Sequence, residues 1–115
     1  MLQVDQQEFE GLVADALDGL PPELAALMDN VAIFVESESP DQPHLLGVYE
    51  GVPLTERDSS YLLAVPDRIT IFRLPTLAIC EDAVEVRRQV QITVVHEIAH
   101  HFGIDDDRLH ELGYA

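Results

Sequence analysis

No glycine or proline interrupts the stretch Ala83–Phe102, which reads AVEVRRQVQITVVHEIAHHF. Its many β-branched residues lower the helix propensity slightly. Twenty residues are nevertheless far more than a typical strand contains, so the stretch predicts a helix. Asp82, followed three residues later by Glu85, fits an N-terminal cap, and Gly103 suits a left-handed stop at the other end.

A second amphipathic helix is predicted near the start of the chain. Asp5 and Glu8 repeat the capping pattern there, and Gly19 with Pro21-Pro22 ends the helical spacing. Six apolar residues share one face of this helix: Phe9, Leu12, Val13, Ala16, Leu17 and Leu20. Two shorter helices are also predicted, one over Leu24–Met28 and one over Asp105–Leu112.

Three short runs between these helices predict β-strands: Val31–Val35, Leu45–Tyr49 and Arg68–Arg73. The third run alternates apolar and polar residues, as a half-buried strand does. The segment Pro53–Pro66 is long enough to be a functional loop, and Tyr61–Val65 within it is a candidate fourth strand. The predicted strands thus lie between helical segments, and the length of 115 residues predicts a single domain over residues 1–115.

The strongly acidic composition argues against some classes of binding partner. The chain has 22 acidic residues and six arginines, no lysine, and a formal net charge of −16. Such a surface repels nucleic-acid phosphates and anionic lipids, so we expect no nucleic-acid partner and no membrane partner. No signal peptide or membrane-spanning run is recognisable, and we therefore expect a cytoplasmic protein.

The single cysteine excludes an internal disulfide and a multi-thiolate metal site. This residue, Cys80, lies among apolar neighbours and is expected to be a small buried hydrophobe. His44, which follows Pro43, is expected on a surface loop.

The predicted helix 83–102 contains the pattern H-E-x-x-H at His96, Glu97 and His100. Two histidines four residues apart lie about 40° apart around a helix, so both rings can converge on one cation. Neutral imidazole is a preferred ligand of Zn²⁺, and Glu97 is placed to act as a general base on metal-activated water. The alternative is a pair of ordinary buried histidines. The predicted apolar stripe of Val95, Ile98, Ala99 and Phe102 lies on a different side of the helix from His96 and His100.

A catalytic zinc site needs a third protein ligand and an open position for water. His101 lies about 140° around the helix from His96 and is expected to point elsewhere. Asp106 completes the spacing H-x-x-G-x-x-D with His100, because Gly103 lets the chain reverse sharply after the helix. Asp106 is therefore the first candidate for the third ligand. Four other residues stay open as candidates: Asp105, Asp107, His110 and Glu111.

The run HEIAHHFGIDD from His96 to Asp106 resembles the small bacterial zincin-like metallopeptidases, which are sometimes called minimal zincins. The resemblance extends to LGVYEGVPLTER over 46–57, to PDRI over 66–69 and to RLHELGY over 108–114. It implies a zincin-like α+β fold, in which a small mixed sheet packs against the motif helix beside a cleft. It also implies zinc held by His96, His100 and a downstream acid, with Glu97 as the base.

The sequence therefore predicts a zinc-dependent metallopeptidase that hydrolyses peptide bonds of a peptide or protein substrate. A peptide could bind by adding a strand at Leu45–Tyr49, and the acidic surface would favour basic or neutral peptides. Tyr49 and Tyr114 are candidate donors to the oxyanion. Two alternatives stay open: a zinc-binding interaction or regulatory module without turnover, and a zinc amidase that acts on a small molecule.

Overall fold

A computed structural model of the chain describes residues 2–51 and 66–114. In chain order, its elements are α1 (Gln6–Asp18), α2 (Pro22–Ala26), β1 (Val31–Glu36), β2 (Gly47–Glu50), β3 (Asp67–Phe72), α3 (Arg73–Ala78), α4 (Ala83–Phe102) and α5 (Asp106–Glu111). This order confirms the α+β prediction. The predicted fourth strand at 61–65 and most of the predicted loop 53–66 lie outside the described residues.

Three helices begin at acidic caps, of which those at Asp5 and Asp82 were predicted. The side chains of Asp5, Asp82 and Asp105 each accept a hydrogen bond from the backbone N–H three residues later, at 2.8–2.9 Å. Such caps satisfy N–H groups that have no partner inside the helix. Helix α4 ends at Gly103 with φ at 71°, which confirms the predicted left-handed stop.

Strand β3 is the middle strand of the described sheet, whose order is β1-β3-β2. It runs parallel to β1 and antiparallel to β2. The prediction of a half-buried, alternating strand is wrong for this element, because all its residues except Arg68 are buried, Thr70 among them. A strand with a neighbour on each side and helices packed against it has little surface left for solvent.

The chain turns directly from β3 into a helix that the sequence pattern did not indicate. Arg73 was expected to close the strand, but it is the first residue of α3. Pro75 lies within the first turn of α3, where a missing N–H does no harm. The Thr76 hydroxyl donates to the Phe72 carbonyl at 2.8 Å and so ties the new helix to the end of the strand.

Helix α4 is the centre of the core. It packs against α1 and against the sheet, and it contributes fully buried side chains along its length: Val86, Val90, Val94, Val95 and Ile98. The predicted apolar stripe is confirmed for Val95, Ile98 and Ala99, but Phe102 is 46% exposed. Phe102 lies in the last turn of α4, where its ring meets the rings of Tyr49 and His101 edge-on.

Two further predictions are confirmed. Cys80 is buried, and burial together with the acids Glu85 and Asp82 raises the pKa of its thiol. His44 is exposed between β1 and β2. Within residues 2–51 and 66–114, none of the helices combines the length and apolar character needed to cross a lipid bilayer.

Candidate functional site

The H-E-x-x-H residues lie in the last two turns of α4, beside strand β2. His96 and His100 are exposed, while Glu97 is half-buried between them and the strand. The backbone N–H of Tyr49 donates to the Glu97 carboxylate. This N–H is therefore turned away from β3 and toward the motif helix, so this side of β2 faces the motif.

A cavity of about 330 Å³ separates this part of α4 from the end of β2. The described residues in its lining are Tyr49, Gly51, Glu97, His100 and His101. One carboxylate, two imidazoles and a phenol ring thus face a space that is large enough for part of a peptide but open to solvent.

Burial is the main influence on the ionisation of Glu97. It raises the pKa of the carboxyl above its ordinary value, because the charged form loses hydration. His100, the Tyr49 N–H and His96 act in the opposite direction, but their combined influence is smaller. A carboxylate with a raised pKa is a stronger base, which is the property that general-base catalysis requires.

His101 lines the cavity, although the helical geometry indicated that it points away from His96. Its ring stacks on Tyr49 with centroids 4.1 Å apart, and its Nε2 lies 3.9 Å from the Asp67 carboxylate. The Tyr49 hydroxyl donates to the same carboxylate at 2.6 Å. The side chains of Tyr49, Asp67 and His101 therefore connect β2, β3 and the motif helix at one corner of the cavity.

The three-residue group of Tyr49, Asp67 and His101 was only partly visible in the sequence. Tyr49 was a candidate oxyanion donor, but its hydroxyl hydrogen is directed to Asp67. Asp67 belongs to the PDRI stretch of the resemblance, but it was not a candidate site residue, since it is one of 22 acids and meets its partners only through the sheet register. Tyr114, the other candidate donor, is not among the residues that line the cavity.

The two motif histidines have different surroundings. His100 faces the cavity, whereas Nε2 of His96 lies 2.7 Å from the carbonyl oxygen of Tyr114. A carbonyl oxygen only accepts hydrogen bonds, so Nε2 of His96 must carry the proton in this contact. A protonated ring nitrogen has no lone pair to offer to a metal ion.

The candidate third ligands lie on and around α5. Asp105 is the N-cap of that helix, Asp106 and Asp107 are exposed in its first turn, and Glu111 pairs with Arg108 at 2.8 Å. His110 is exposed as well. Across the described ranges 2–51 and 66–114, no three His, Cys, Asp or Glu side chains come close enough to hold a metal ion. In this conformation the donors do not fit zinc, and the ligand set of His96, His100 and Asp106 stays a prediction.

Comparison with known proteins identifies the family. No protein of curated function has a significant match to the chain. A solved structure, a conserved hypothetical protein from Thermus thermophilus, is similar with a TM-score of 0.56 at 20% identity, over 86% of this chain and 94% of that one. At this identity the similarity shows a shared fold. The sequence pattern of the zincin-like metallopeptidases matches residues 28–114. The chain therefore belongs to the zincin-like metallopeptidase family.

Proposed function

We propose that this protein is a zinc-dependent peptidase in which Glu97 is the general base. The observation that carries the proposal is the position of Glu97. Its half-buried carboxylate faces the cavity between a motif imidazole and the edge of the sheet, and it accepts a hydrogen bond from the Tyr49 N–H. Family membership supports peptide hydrolysis as the reaction.

Strand β2 supports an extended peptide as the substrate. It lies at one side of the described sheet, with β3 as its neighbour on the other side. Its outer backbone groups face the motif helix, as the bond from the Tyr49 N–H to Glu97 indicates. A peptide that adds to this edge as a further strand brings one of its carbonyl groups close to Glu97.

We infer zinc binding from membership of the family and from the histidine and carboxylate side chains that the motif region offers. His96 and His100 are the first two ligands, and Asp106 is the preferred third ahead of Asp105, Asp107, His110 and Glu111. When bound, zinc supplies a Lewis acid that lowers the pKa of water and polarises a carbonyl group. Glu97 then has one task, which is to accept the proton of the attacking water and pass it to the leaving amine.

The charge around the cavity favours neutral or basic peptides. Glu97 lies in its wall, Asp67 lies at the corner behind Tyr49, and Glu50 is exposed at the end of β2. No arginine is among the described residues that line the cavity. Because the whole chain carries a formal charge of −16, an acidic peptide meets repulsion both at long range and at the site.

The test combines zinc analysis with hydrolysis of peptide mixtures that are basic, neutral or acidic. We expect Glu97→Gln to keep about one zinc per chain while hydrolysis falls by roughly 10²–10⁴-fold, the usual contribution of a general base. His96→Ala and His100→Ala should lose zinc. His44→Ala is the matched control, because His44 is exposed before β2 and is not among the described residues that line the cavity.

The third ligand is tested by a pair of neighbouring substitutions. Asp106→Asn should weaken zinc binding, whereas Asp107→Asn in the same helical turn should leave it unchanged. Hydrolysis by Glu97→Gln at the rate of the parent would contradict the role of the base. Failure of the parent to bind zinc would overturn the whole proposal.

A second candidate function is a zinc-binding module without turnover. Stoichiometric zinc without hydrolysis of any peptide class would select this function.

A further inference from the structure

Strand β1 lies on the opposite side of the described sheet from β2, and alternate residues of β1 direct their backbone groups away from β3. The Asp67 N–H donates to the Asn30 carbonyl at 3.0 Å, which fixes the alternation of this parallel ladder. It follows that Val31, Ile33 and Val35 turn their N–H and carbonyl groups to the outer side of β1.

Some of these outward groups have partners within the molecule. The side-chain amide of Gln6 donates to the Val35 carbonyl at 3.0 Å, and the Val31 N–H donates to the Met28 carbonyl at 3.1 Å. Within residues 2–51 and 66–114, no hydrogen bond reaches the N–H or carbonyl of Ile33 or the N–H of Val35. This side of β1 therefore offers donors and acceptors to a further strand.

A groove of about 400 Å³ separates the outer side of β1 from α1. We refer to it as the β1 groove. Its described lining consists of residues 33–35 of β1 and of Glu10, Val13, Ala14 and Leu17 of α1. These four residues of α1 follow the spacing i, i+3, i+4, i+7, so they share one face of the helix, and three of them are apolar.

An extended peptide fits the β1 groove as a strand added beside β1. Its side chains would alternate between the two faces of the sheet. On the side of α1 they meet the apolar face of that helix. Ile33 and Val35 pack against the core, so Phe34 between them points to the other face. The Phe34 ring is 43% exposed there, with the Arg68 guanidinium 4.2 Å from its centroid. Apolar side chains therefore find contacts on both faces.

The charges around the β1 groove favour a basic partner. Glu10 lies in its wall, Glu36 is exposed where β1 ends, and Asp18 is exposed one turn after Ala14 on α1. No arginine is among the described residues that line the groove. A second copy of the chain carries the same formal charge of −16 and is repelled, whereas a segment with Lys or Arg at its ends is attracted.

We propose that the β1 groove binds an extended segment of another protein that is apolar in its middle and basic at its ends. Backbone hydrogen bonds to Ile33 and Val35 hold the segment, and its basic ends meet Glu10 and the neighbouring acids. This site lies across the described sheet from the cavity beside β2, and it requires neither a metal ion nor turnover.

The probe is a synthetic peptide of about eight residues, which matches the six residues of β1 with one basic residue at each end. Valine and threonine alternate in its middle. One control peptide carries Glu at both ends, and another carries a central proline, which cannot join a ladder of hydrogen bonds. Binding to the metal-free protein is measured by isothermal titration calorimetry.

Hydrogen exchange measured by NMR locates the bound peptide. In the free protein, the N–H groups of Ile33 and Val35 should exchange faster than those of Ala32 and Phe34, which bond to β3. A saturating amount of the basic peptide should slow exchange at Ile33 and Val35 by about tenfold or more. Protection confined to β2 would overturn the proposal, because the peptide would then occupy the other side of the sheet.

Two pairs of variants test the groove itself. Ala14→Gln fills its helical wall and should weaken peptide binding by about tenfold, while Ala25→Gln, exposed on α2 outside the described lining, is the matched control. Glu10→Gln should weaken binding by about two- to fivefold, the range of an exposed ion pair. Asp15→Asn removes the same charge from an exposed position of α1 outside the described lining and should have a smaller effect.

The remaining outcomes separate this proposal from its alternatives. Absence of binding, equal binding of the peptide with acidic ends, or unchanged binding in Ala14→Gln would overturn it. A dimer of the parent in analytical ultracentrifugation that Ala14→Gln dissociates would show that a second copy occupies the groove, which also overturns it. Since no zinc and no hydrolysis enter these measurements, their result does not depend on the proposed peptidase activity.

Discussion

Glu97 carries an energetic cost in the folded, metal-free protein. Burial raises the pKa of its carboxyl, so the folded state favours the neutral form more than the unfolded state does. The folded protein therefore loses stability as the pH rises through the folded-state pKa, and it recovers that stability below the ordinary pKa of 4.5. The ionised Glu97 carboxylate therefore lowers the free energy of unfolding of the metal-free protein.

This cost predicts a pH-dependent gain of stability in Glu97→Gln. Above the raised pKa the variant should have a larger free energy of unfolding than the parent, because glutamine never ionises. The gain should shrink as the pH falls and disappear below the ordinary carboxyl pKa. Thermal unfolding of the metal-free proteins from pH 4 to pH 8 measures it. Glu38→Gln, at an exposed loop position, is the control, and an equal response of both variants would contradict the assignment.

Some residues of the site could be identified from the sequence, and others could not. His96, Glu97 and His100 were recognisable because their spacing is local and helical. The place of His101 in the cavity wall was not predicted, since an angle around the helix axis does not tell which strand lies beside that face. The Tyr114 carbonyl could not be found at all, because every residue has a carbonyl group and only tertiary packing selects this one.

The helices were the most predictable elements, since their ends are set by short-range chemistry. The caps at Asp5 and Asp82 and the stop at Gly103 depend on residues within one turn. Helix α3 was missed because its sequence, RLPTLA, carries a proline and follows an apolar strand without a break. The burial of β3 was underestimated because it depends on what lies on both sides of the strand.

A pair of glycine substitutions tests the end of α4. Gly103→Ala should reduce the free energy of unfolding by about 1–2 kcal/mol, because alanine is strained at a φ of 71°. Gly11→Ala, inside α1 with open space around it, should instead increase it by about 0.5–1 kcal/mol. Urea unfolding of both variants gives the two values. A loss at both positions would show that the added methyl group, rather than the backbone conformation, is responsible.

The charge of the whole molecule opposes its folding. The chain of 115 residues carries a formal charge of −16, so its like charges come closer together and repel more strongly when the chain folds into a compact state. The ion pairs of Arg108 with Glu23 and Glu111 lie on exposed side chains and offset little of this repulsion.

Added salt should therefore stabilise the protein. We expect the Tm to rise by about 4 °C or more between 10 mM and 0.5 M NaCl, which corresponds to roughly 1 kcal/mol for a domain of this size. Differential scanning calorimetry at pH 7 measures the change, and KCl at the same concentrations controls for effects of the particular ion. A Tm that falls with salt would mean that attractive pairs outweigh the repulsion.

The order β1-β3-β2 also has a consequence for how the chain is made. The middle strand of the described sheet, β3, is synthesised after β1 and β2. Strand β1, which begins at Val31, therefore cannot form its backbone hydrogen bonds to β3 until Asp67 and the residues after it have been made. Until then the nascent polypeptide carries two apolar segments with open backbone groups, which invite pairing with other chains. Helix α4, which covers the sheet, is synthesised later still. We expect the acidic residues of the segments made first to oppose such pairing, because neighbouring nascent chains carry the same charge.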